Sequence, residues 1–460
     1  MKRIVLFIVI GIFYLQCPSR SYEIRASELL AVQEFNNYLK FTQDSNLFAS
    51  LKVEGDIQQY NAGIGNEDVH LNISQLIRKY GYIMEEHEVK TKDGYILSLF
   101  RIPSEGPVVF LMHGLLLSAD DWVTAGPESG IAYLLANEGY DVWLGNARGN
   151  KHSRRHERLA PSTSTFWDFS WDEIGRYDLP ALIDYVLNVK NQTQLIYIGH
   201  SQGTTAFFVM CSEIPAYNDK ISLMVAMSAI AAIPNLKSPF LNFVKIVVLY
   251  HPEIIFGLLK ELGYYEFLPN NNLVKFFSPN ICGKTYFAEI ICSNIVFMVC
   301  GFDASQLNVT NLPVIFAHSP AGAATKQIEH YGQTVISGKF ERFDYGGTKN
   351  FVKYGSKTAP AYPVEKISVP IAIFYSDNDW LASFDDVDVI RKRLKNVVEF
   401  YRVPDPNFNH IDYLYAKDVK ELVFTKLRSI MNKYNSRLTF IYIVTKIIRA
   451  RPNSPNHKYP

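Results

Sequence analysis

The sequence carries almost no net charge and has no apolar run long enough to cross a bilayer. Its formal net charge is +1, with 20% charged residues, which leaves no basic field for nucleic acid or an anionic membrane. A spanning helix needs about 20 consecutive apolar residues, and the apolar stretches near both ends of the chain are shorter. Internal repeats and low-complexity segments are also missing. We therefore expect a globular protein without a nucleic-acid partner or a stable transmembrane anchor.

The first residues have the composition of a secretory signal. Lys2 and Arg3 precede an apolar stretch over 4–15, which is too short to span a bilayer comfortably. We predict a signal peptide over 1–21, with an uncleaved anchor as the alternative. Entry into the secretory pathway makes disulfide formation and N-glycosylation available. Sequons, which predict exposed glycosylated positions, stand at Asn72, Asn191 and Asn308.

Cysteine is scarce, with five residues in the whole chain. If Cys17 leaves with the signal peptide, four remain, and three of them cluster between 282 and 300. Cys282 and Cys292 could close a short loop, whereas Cys211 lies on a predicted helix and is expected to be a buried thiol.

The stretch Leu195-Ile196-Tyr197-Ile198-Gly199-His200-Ser201-Gln202-Gly203 organises the rest of the chain. An apolar, β-branched run meets a Gly-x-Ser-x-Gly turn, and an apolar helical stretch follows, which is the context that a nucleophile elbow needs. Side chains at Gly199 and Gly203 would collide where the chain reverses at the serine. Ser201 is therefore the candidate nucleophile.

Strands and helices alternate along much of the chain, which predicts a mostly parallel sheet with helices on both faces. Antiparallel strands joined by a tight turn are predicted first, over 85–91 and 95–101. Further strands follow over 108–112, 140–144, 195–198, 221–227, 369–375 and 397–403, and helices over 73–82, 131–137 and 178–189. Ligands bind at the carboxyl ends of such strands, where Ser201 and the loops after 112 and 144 fall.

The alternation breaks between about 231 and 366, where we predict an inserted helical cap with a lid. The expected core thus comprises 68–230 and 367–434. Residues 22–67 form an N-terminal extension and residues 435–460 a C-terminal tail, and neither carries a chemical signal. An apolar cap is consistent with a lipid site or with a second small core, and both alternatives stay open.

Three loops supply candidate partners for the serine. His113-Gly114 follows an early buried strand, where hydrolases of this architecture place one oxyanion-hole amide, so we assign the Leu115 N–H to that role. The second donor is the N–H of Gln202, the residue just past the candidate nucleophile. Asp377 and Asp379 compete for the triad acid after the penultimate strand. His410 is the predicted base, because it lies between the final strand and the final helix, in the expected order Ser, Asp, His.

No metal or cofactor is expected. His152 and His156 have a metal-like spacing, but Arg154 and Arg155 lie between them and would repel a cation. Since no third ligand is evident, we predict that these histidines belong to a solvated loop.

Several collinear motifs resemble the acid lipase family, which includes gastric lipase and lysosomal acid lipase. The resemblance runs from about 68 to about 434 and includes the elbow through Thr205. The other stretches that carry it are Leu144-Gly145-Asn146-Ala147-Arg148-Gly149-Asn150, Phe169-Ser170-Trp171-Asp172-Glu173, Tyr177-Asp178-Leu179-Pro180, His113-Gly114-Leu115-Leu116, Ser319-Pro320-Ala321-Gly322, Asn378-Asp379 and Asn409-His410-Ile411-Asp412.

The resemblance implies an α/β-hydrolase fold and a secreted or lysosomal protein. It matches the family's nucleophile to Ser201, its acid to Asp379 rather than Asp377, and its base to His410. It also implies a cap disulfide between Cys282 and Cys292, and it leaves Cys300 as a free thiol.

These observations together predict a serine lipase. We expect hydrolysis through an acyl-enzyme, and the resemblance implies that the substrates are neutral lipid esters, triacylglycerols and cholesteryl esters, at a lipid–water interface. Two alternatives remain: a lipid-binding or carrier protein on a hydrolase scaffold, and an esterase for soluble short-chain esters.

Overall fold

The computed structural model describes residues 66–238, 241–242, 260–270 and 299–434. The predicted signal peptide, the C-terminal tail and the Cys282–Cys292 pairing lie outside the described residues. So does the N-terminal extension up to residue 65.

A nine-stranded sheet forms the centre of the protein. Its strand order is β1-β2-β4-β3-β6-β7-β10-β11, with β5 paired to β2. The strands are β1 (Glu85–Lys90), β2 (Tyr95–Ile102), β3 (Val108–Met112), β4 (Asp141–Gly145), β5 (Arg155–His156), β6 (Leu195–His200), β7 (Ile221–Met227), β10 (Ile371–Tyr375) and β11 (Val397–Arg402); a separate two-stranded sheet pairs β8 (Glu266–Phe267) with β9 (Ala323–Ala324). The predicted mostly parallel sheet is confirmed, because β4, β3, β6, β7, β10 and β11 all pair in parallel.

Helices flank the sheet and connect its strands. They are α1 (Ile73–Lys79), α2 (Ile131–Asn137), α3 (Trp171–Glu173), α4 (Leu179–Lys190), α5 (Gln202–Glu213), α6 (Leu312–His318), α7 (Thr325–Ser337), α8 (Gly347–Tyr354), α9 (Phe384–Arg393), α10 (Asp412–Tyr415) and α11 (425–434). A π-helical turn, Ile174–Asp178, joins α3 to α4, and another, Lys420–Phe424, precedes α11. In the part of the chain that is described, no helix has the length and apolar character to traverse a membrane.

The central strands of the sheet are buried on both faces, and strand β3 shows how. Phe110 and Met112 belong to the apolar cluster on one face, and Val109 and Leu111 belong to the cluster on the other. Because successive side chains of a strand point to opposite faces, a strand covered on both sides needs an apolar residue at every position. The continuous run Val108–Met112, in which every residue is buried, meets that need.

The segment between β7 and β10 packs against the core through backbone hydrogen bonds. It contains α6, α7 and α8 and the strands β8 and β9. The Ala321 N–H donates to the Leu116 carbonyl at 2.6 Å, and the Lys151 N–H donates to the Ala321 carbonyl at 2.8 Å. The inserted segment therefore contacts the loop that follows β3, at the carboxyl edge of the sheet.

Candidate active site

Ser201 occupies a strained turn between β6 and α5. Its backbone has φ 51° and ψ −117°, and α5 begins at the next residue. A Cβ at Gly199 would lie 2.8 Å from the Gly203 carbonyl carbon, and one at Gly203 would lie 2.3 Å from the Met112 carbonyl oxygen. Only glycine fits at either position, as the elbow motif predicted. The tight turn places Ser201 at the carboxyl end of a central parallel strand.

His410 lies within hydrogen-bond distance of Ser201. The His410 Nε2 atom is 2.9 Å from Ser201 Oγ, and the His410 Nδ1 atom is 3.0 Å from each carboxylate oxygen of Asp379. A carboxylate only accepts hydrogen bonds, so Nδ1 carries the proton and Nε2 is free to accept the Ser201 hydroxyl. All three side chains are buried. The structure thus brings together three predicted residues that are far apart in the sequence.

The carboxylate of Asp379 is saturated with donors. The Ser228 hydroxyl donates to Oδ2 at 2.6 Å, and the N–H groups of Leu381 and Ala382 donate to Oδ1 at 2.9 and 2.8 Å. Burial by itself raises the pKa of Asp379, but the electrostatic interaction with His410 and the hydrogen bonds to the carboxylate outweigh it and leave the pKa below its ordinary value. Asp379 therefore stays ionised beside the imidazole.

Asp377 is not part of this arrangement. Its carboxylate pairs with Arg402, whose Nε donates to Oδ1 at 3.0 Å near the surface. The two candidates for the triad acid are thus separated by the turn after β10, which directs Asp379 inward and Asp377 outward.

The loop after β3 lies against the elbow. A Cβ at Gly114 would be 3.1 Å from both Ser201 Cβ and His200 Nδ1. The loop therefore packs so closely against the serine that a side chain at position 114 would be crowded. Among the hydrogen bonds of the described residues, none is donated by the backbone amides of Leu115 and Gln202. These amides directly follow Gly114 and Ser201, where the two loops meet, and an oxyanion hole requires amides that are free to donate.

His113 ties this loop to the loop after β4. Its Nε2 atom accepts the Ala147 N–H and the Asn150 side-chain N–H, both at 3.1 Å, and its Nδ1 atom donates to the Gly114 carbonyl at 2.7 Å. Only a neutral ring can make this set of hydrogen bonds. Burial lowers the pKa of His113 to about 4, so the ring stays neutral above that pH.

His200, the residue before the serine, contacts the loop that carries His410. Its Nε2 atom lies 2.7 Å from the His410 carbonyl oxygen, and the two imidazole centroids are 5.0 Å apart. Burial, together with repulsion from His410, lowers the pKa of His200 to about 3. The neutral ring therefore donates from Nε2 and anchors the backbone of His410.

Sequence reasoning did not identify Ser228 as a partner of Asp379. Ser228 directly follows β7 and has a positive φ of 52°. Its position at the carboxyl edge of a central parallel strand is a signal that could have found it, because the site lies along that edge.

The prediction of a solvated loop is wrong for His152. Its Nε2 atom is 2.6 Å from Oδ1 of the buried Asp120, whose Oδ2 contacts His318 Nδ1 at 2.6 Å and Lys151 Nζ at 2.5 Å. Burial raises the pKa of Asp120, but Lys151 and His152 outweigh it and hold that pKa well below the ordinary value. His156 instead contacts the Asp93 carbonyl at 2.8 Å. Within the described ranges no cluster of three or more His, Cys, Asp or Glu side chains could hold a metal ion.

The predicted free cysteines are buried, whereas the asparagines of the predicted glycosylation sites are exposed or half-buried. Cys211 and Cys300 are buried free thiols. Asn72 and Asn191 are exposed, and Asn308 is half-buried.

Comparisons with known proteins agree with this architecture. Residues 73–126 match the family described as the partial alpha/beta-hydrolase lipase region, and residues 107–254 match the alpha/beta hydrolase fold. A solved structure from Sulfolobus solfataricus is similar with a TM-score of 0.52 and 14% identity, covering 76% of this chain and 94% of that one. At that identity the likeness shows the fold alone, and it confirms the predicted α/β-hydrolase class.

Curated relatives are much closer in sequence. Lipase 1 of Drosophila melanogaster is 42% identical over 80% of this chain and 81% of its own length. Human gastric triacylglycerol lipase is 38% identical over 80% of this chain and 93% of its own. Human lysosomal acid lipase/cholesteryl ester hydrolase is 36% identical over 80% and 92%. With identities above 30% across most of both partners, the chain belongs to the acid lipase family of α/β-hydrolases.

Proposed function

We propose that this chain is a secretory-pathway serine lipase that hydrolyses triacylglycerols and cholesteryl esters at a lipid–water interface. One observation carries the proposal: a continuous chain of hydrogen bonds joins Ser201, His410 and Asp379 beside the Leu115 and Gln202 amides, which have no acceptor of their own in the described structure. The family relationship supports the same chemistry. Neither a metal nor a cofactor takes part.

The geometry supports an acyl-enzyme mechanism. Ser201 Oγ attacks the ester carbonyl carbon while its proton passes to His410 Nε2, and Asp379 stabilises the imidazolium and holds its tautomer. The amides of Leu115 and Gln202 donate to the oxyanion of the tetrahedral intermediate. His410 then protonates the leaving alcohol, and the acyl group remains on Ser201. Water, activated by the same imidazole, releases the fatty acid and restores the enzyme.

The inserted segment supports a lipid substrate. We propose that 231–366 forms a cap over the core of 68–230 and 367–434. Within its described part, four large apolar side chains in one short stretch are exposed to solvent: Leu262, Tyr264, Phe267 and Leu268. Exposed large apolar groups in one place mark a surface that meets an apolar partner, and a lipid–water interface is such a partner.

Replacement of the serine tests the proposal directly. Ser201→Ala should lower turnover by four orders of magnitude or more, roughly the loss that removal of a triad serine causes, and labelling by a fluorophosphonate should disappear. Ser212→Ala is the matched control, because Ser212 is equally buried on α5 and only donates to the Val209 carbonyl. Near-normal turnover by Ser201→Ala would refute the mechanism and leave a carrier on a hydrolase scaffold.

Substrate class needs a separate assay. Hydrolysis of tributyrin should rise sharply above its solubility limit, because the interface supplies both substrate and a surface for the cap. Rates that follow only the dissolved ester would instead favour an esterase for soluble short-chain esters.

We also propose that the protein is secreted or lysosomal and carries glycans at Asn72, Asn191 and Asn308. Exposure of Asn72 and Asn191 supports this. Treatment of the secreted protein with an N-glycosidase should lower its mass, and Asn→Gln variants at these sequons should each lose one glycan.

A further inference from the structure

Three consecutive carbonyls of the inserted segment accept hydrogen bonds from the two loops that carry the proposed acid and base. We call Cys300–Phe302 the clamp segment. The Cys300 carbonyl accepts the N–H groups of Trp380 and His410, both at 3.3 Å. The Gly301 carbonyl accepts the Asn409 side-chain amide at 3.1 Å, and the Phe302 carbonyl accepts that of Asn378 at 2.7 Å. Each of these donors belongs to His410 itself or to a residue next to Asp379 or His410 in the sequence.

Asn378 also joins the loop that carries Asp379 to the loop that carries His410. Its side-chain amide also donates to the Asn407 carbonyl at 2.6 Å. The same NH₂ group therefore links the clamp segment, the turn before Asp379 and the turn before His410. No other side chain type of this size offers two N–H donors and stays uncharged.

Gly301 lets the clamp segment approach this closely. Its φ is +113°, and a Cβ there would lie 2.1 Å from the Asn378 carbonyl oxygen and 3.1 Å from Asn409 Cβ. A side chain at position 301 would therefore push apart the residues that precede Asp379 and His410. The backbone of Gly301 fills the space between them.

We propose that the clamp segment and Asn378 are positioning elements that set the distance between the acid and the base. The inference rests on the triad of the proposed function and extends it to residues that contact no reacting atom. Catalysis then depends on the inserted segment through its backbone. A misplacement of about 1 Å between catalytic groups costs about 100-fold in rate, so a small displacement of either loop is sufficient to impair turnover.

Asn378→Ala tests the side-chain link. We expect kcat for dissolved p-nitrophenyl butyrate to fall roughly 10- to 100-fold while KM stays within about twofold, because the contact affects the transition state and not substrate binding. The acidic limb of the pH profile of kcat/KM should move to lower pH, since an imidazolium held less closely by Asp379 loses its proton more easily. Asn378→Asp keeps the size but loses the donors, so it should be impaired as well.

Gly301→Ala tests the backbone link. It should lower kcat at least as much as Asn378→Ala, because the added methyl group separates the two loops. Gly355→Ala is the matched control: Gly355 has a similar left-handed backbone with φ +71°, and a Cβ there would meet nothing within 4 Å. The control separates backbone strain from displacement of the loops.

Labelling and stability measurements make the outcomes decisive. The parent protein should react with a fluorophosphonate at Ser201. If it does not, the result refutes the proposed function and not the positioning role of the clamp segment. If the parent is labelled, parent-like kcat for Asn378→Ala overturns the positioning role. A loss of kcat without movement of the acidic limb, or one that only follows the fraction of folded protein measured by circular dichroism, overturns it too.

Discussion

Ser201 is held in place by its own stretch of chain, whereas Asp379 and His410 are held by residues distant in the sequence. The elbow combines strand β6, helix α5 and the glycines at 199 and 203, all within a few residues. The acid and the base instead depend on Ser228, on His200 and on the clamp segment. The turn at Ser201 is thus built mainly from one stretch of chain that packs against β3, whereas Asp379 and His410 are positioned by contacts with several distant segments.

The largest expected effect concerns the acid. Asp379→Asn should lower kcat on the order of 10⁴-fold, because an amide in place of the carboxylate stabilises the wrong imidazole tautomer. Single-turnover and steady-state kinetics would measure the loss. Asp377→Asn is the matched control and should stay within about twofold of the parent, since Asp377 pairs with Arg402 near the surface. The reverse ranking would assign the acid to Asp377.

The second prediction concerns the packing of the elbow around Ser201. Gly203→Ala should lower the free energy of unfolding by about 2–3 kcal/mol, because its methyl group would overlap the Met112 carbonyl and force the elbow away from β3. Denaturant titration measures this. Gly332→Ala, within α7 where a Cβ meets nothing within 4 Å, should instead gain up to about 1 kcal/mol. Equal stability of the two variants would contradict the close packing of the elbow.

A smaller loss of kcat is expected when the hydrogen bond from Ser228 to Asp379 is removed. Ser228→Ala removes a hydrogen bond of 2.6 Å to the buried Asp379 carboxylate, and a bond to a charged group contributes about 1.5–3 kcal/mol. We expect kcat to fall roughly tenfold. Ser222 lies on β7, the strand that Ser228 follows, and donates only to the Leu195 carbonyl, so Ser222→Ala should keep the parent's kcat. If both variants match the parent, Ser228 does not support the acid.

The smallest effect is a pH dependence of stability. Burial lowers the pKa of His113 from 6.5 to about 4, so between these values the unfolded chain binds a proton that the folded protein does not. Stability contributed by the neutral ring is therefore present above pH 6.5 and is lost as pH falls toward about 4, by up to about 1.4 kcal/mol per pH unit. His113→Asn should reduce this slope in denaturant titrations between pH 7 and pH 4. An unchanged slope in His113→Asn would contradict this assignment.

Regular elements with strong patterns were predicted closely. The predicted bounds of β3, α2 and β7 agree with the structure to the residue. These elements are buried on the faces that their apolar patterns indicated, so local pattern and tertiary environment favour the same structure. Membership of the acid lipase family is confirmed by relatives that cover 80% of the chain.

Side-chain roles at the ends of strands were harder to predict. Asp377 and Asp379 are two residues apart in one turn, and only the direction of that turn separates them. His152 was expected in solvent, yet it contacts Asp120, which lies 32 residues earlier in the sequence. A periodic pattern contains no information about such pairs, because each partner's position depends on how separate loops pack.

The amino-acid sequence alone determined the sheet, the elbow and the order of the candidates along the chain, with Ser201 first, Asp377 or Asp379 next and His410 last, since these follow from burial, glycine geometry and the succession of elements. Tertiary structure decided which carboxylate meets the imidazole and which groups hold it there. The physical reason is range: backbone sterics and burial act within each element, whereas hydrogen bonds from Ser228, His200 and the clamp segment exist only after distant loops have come together.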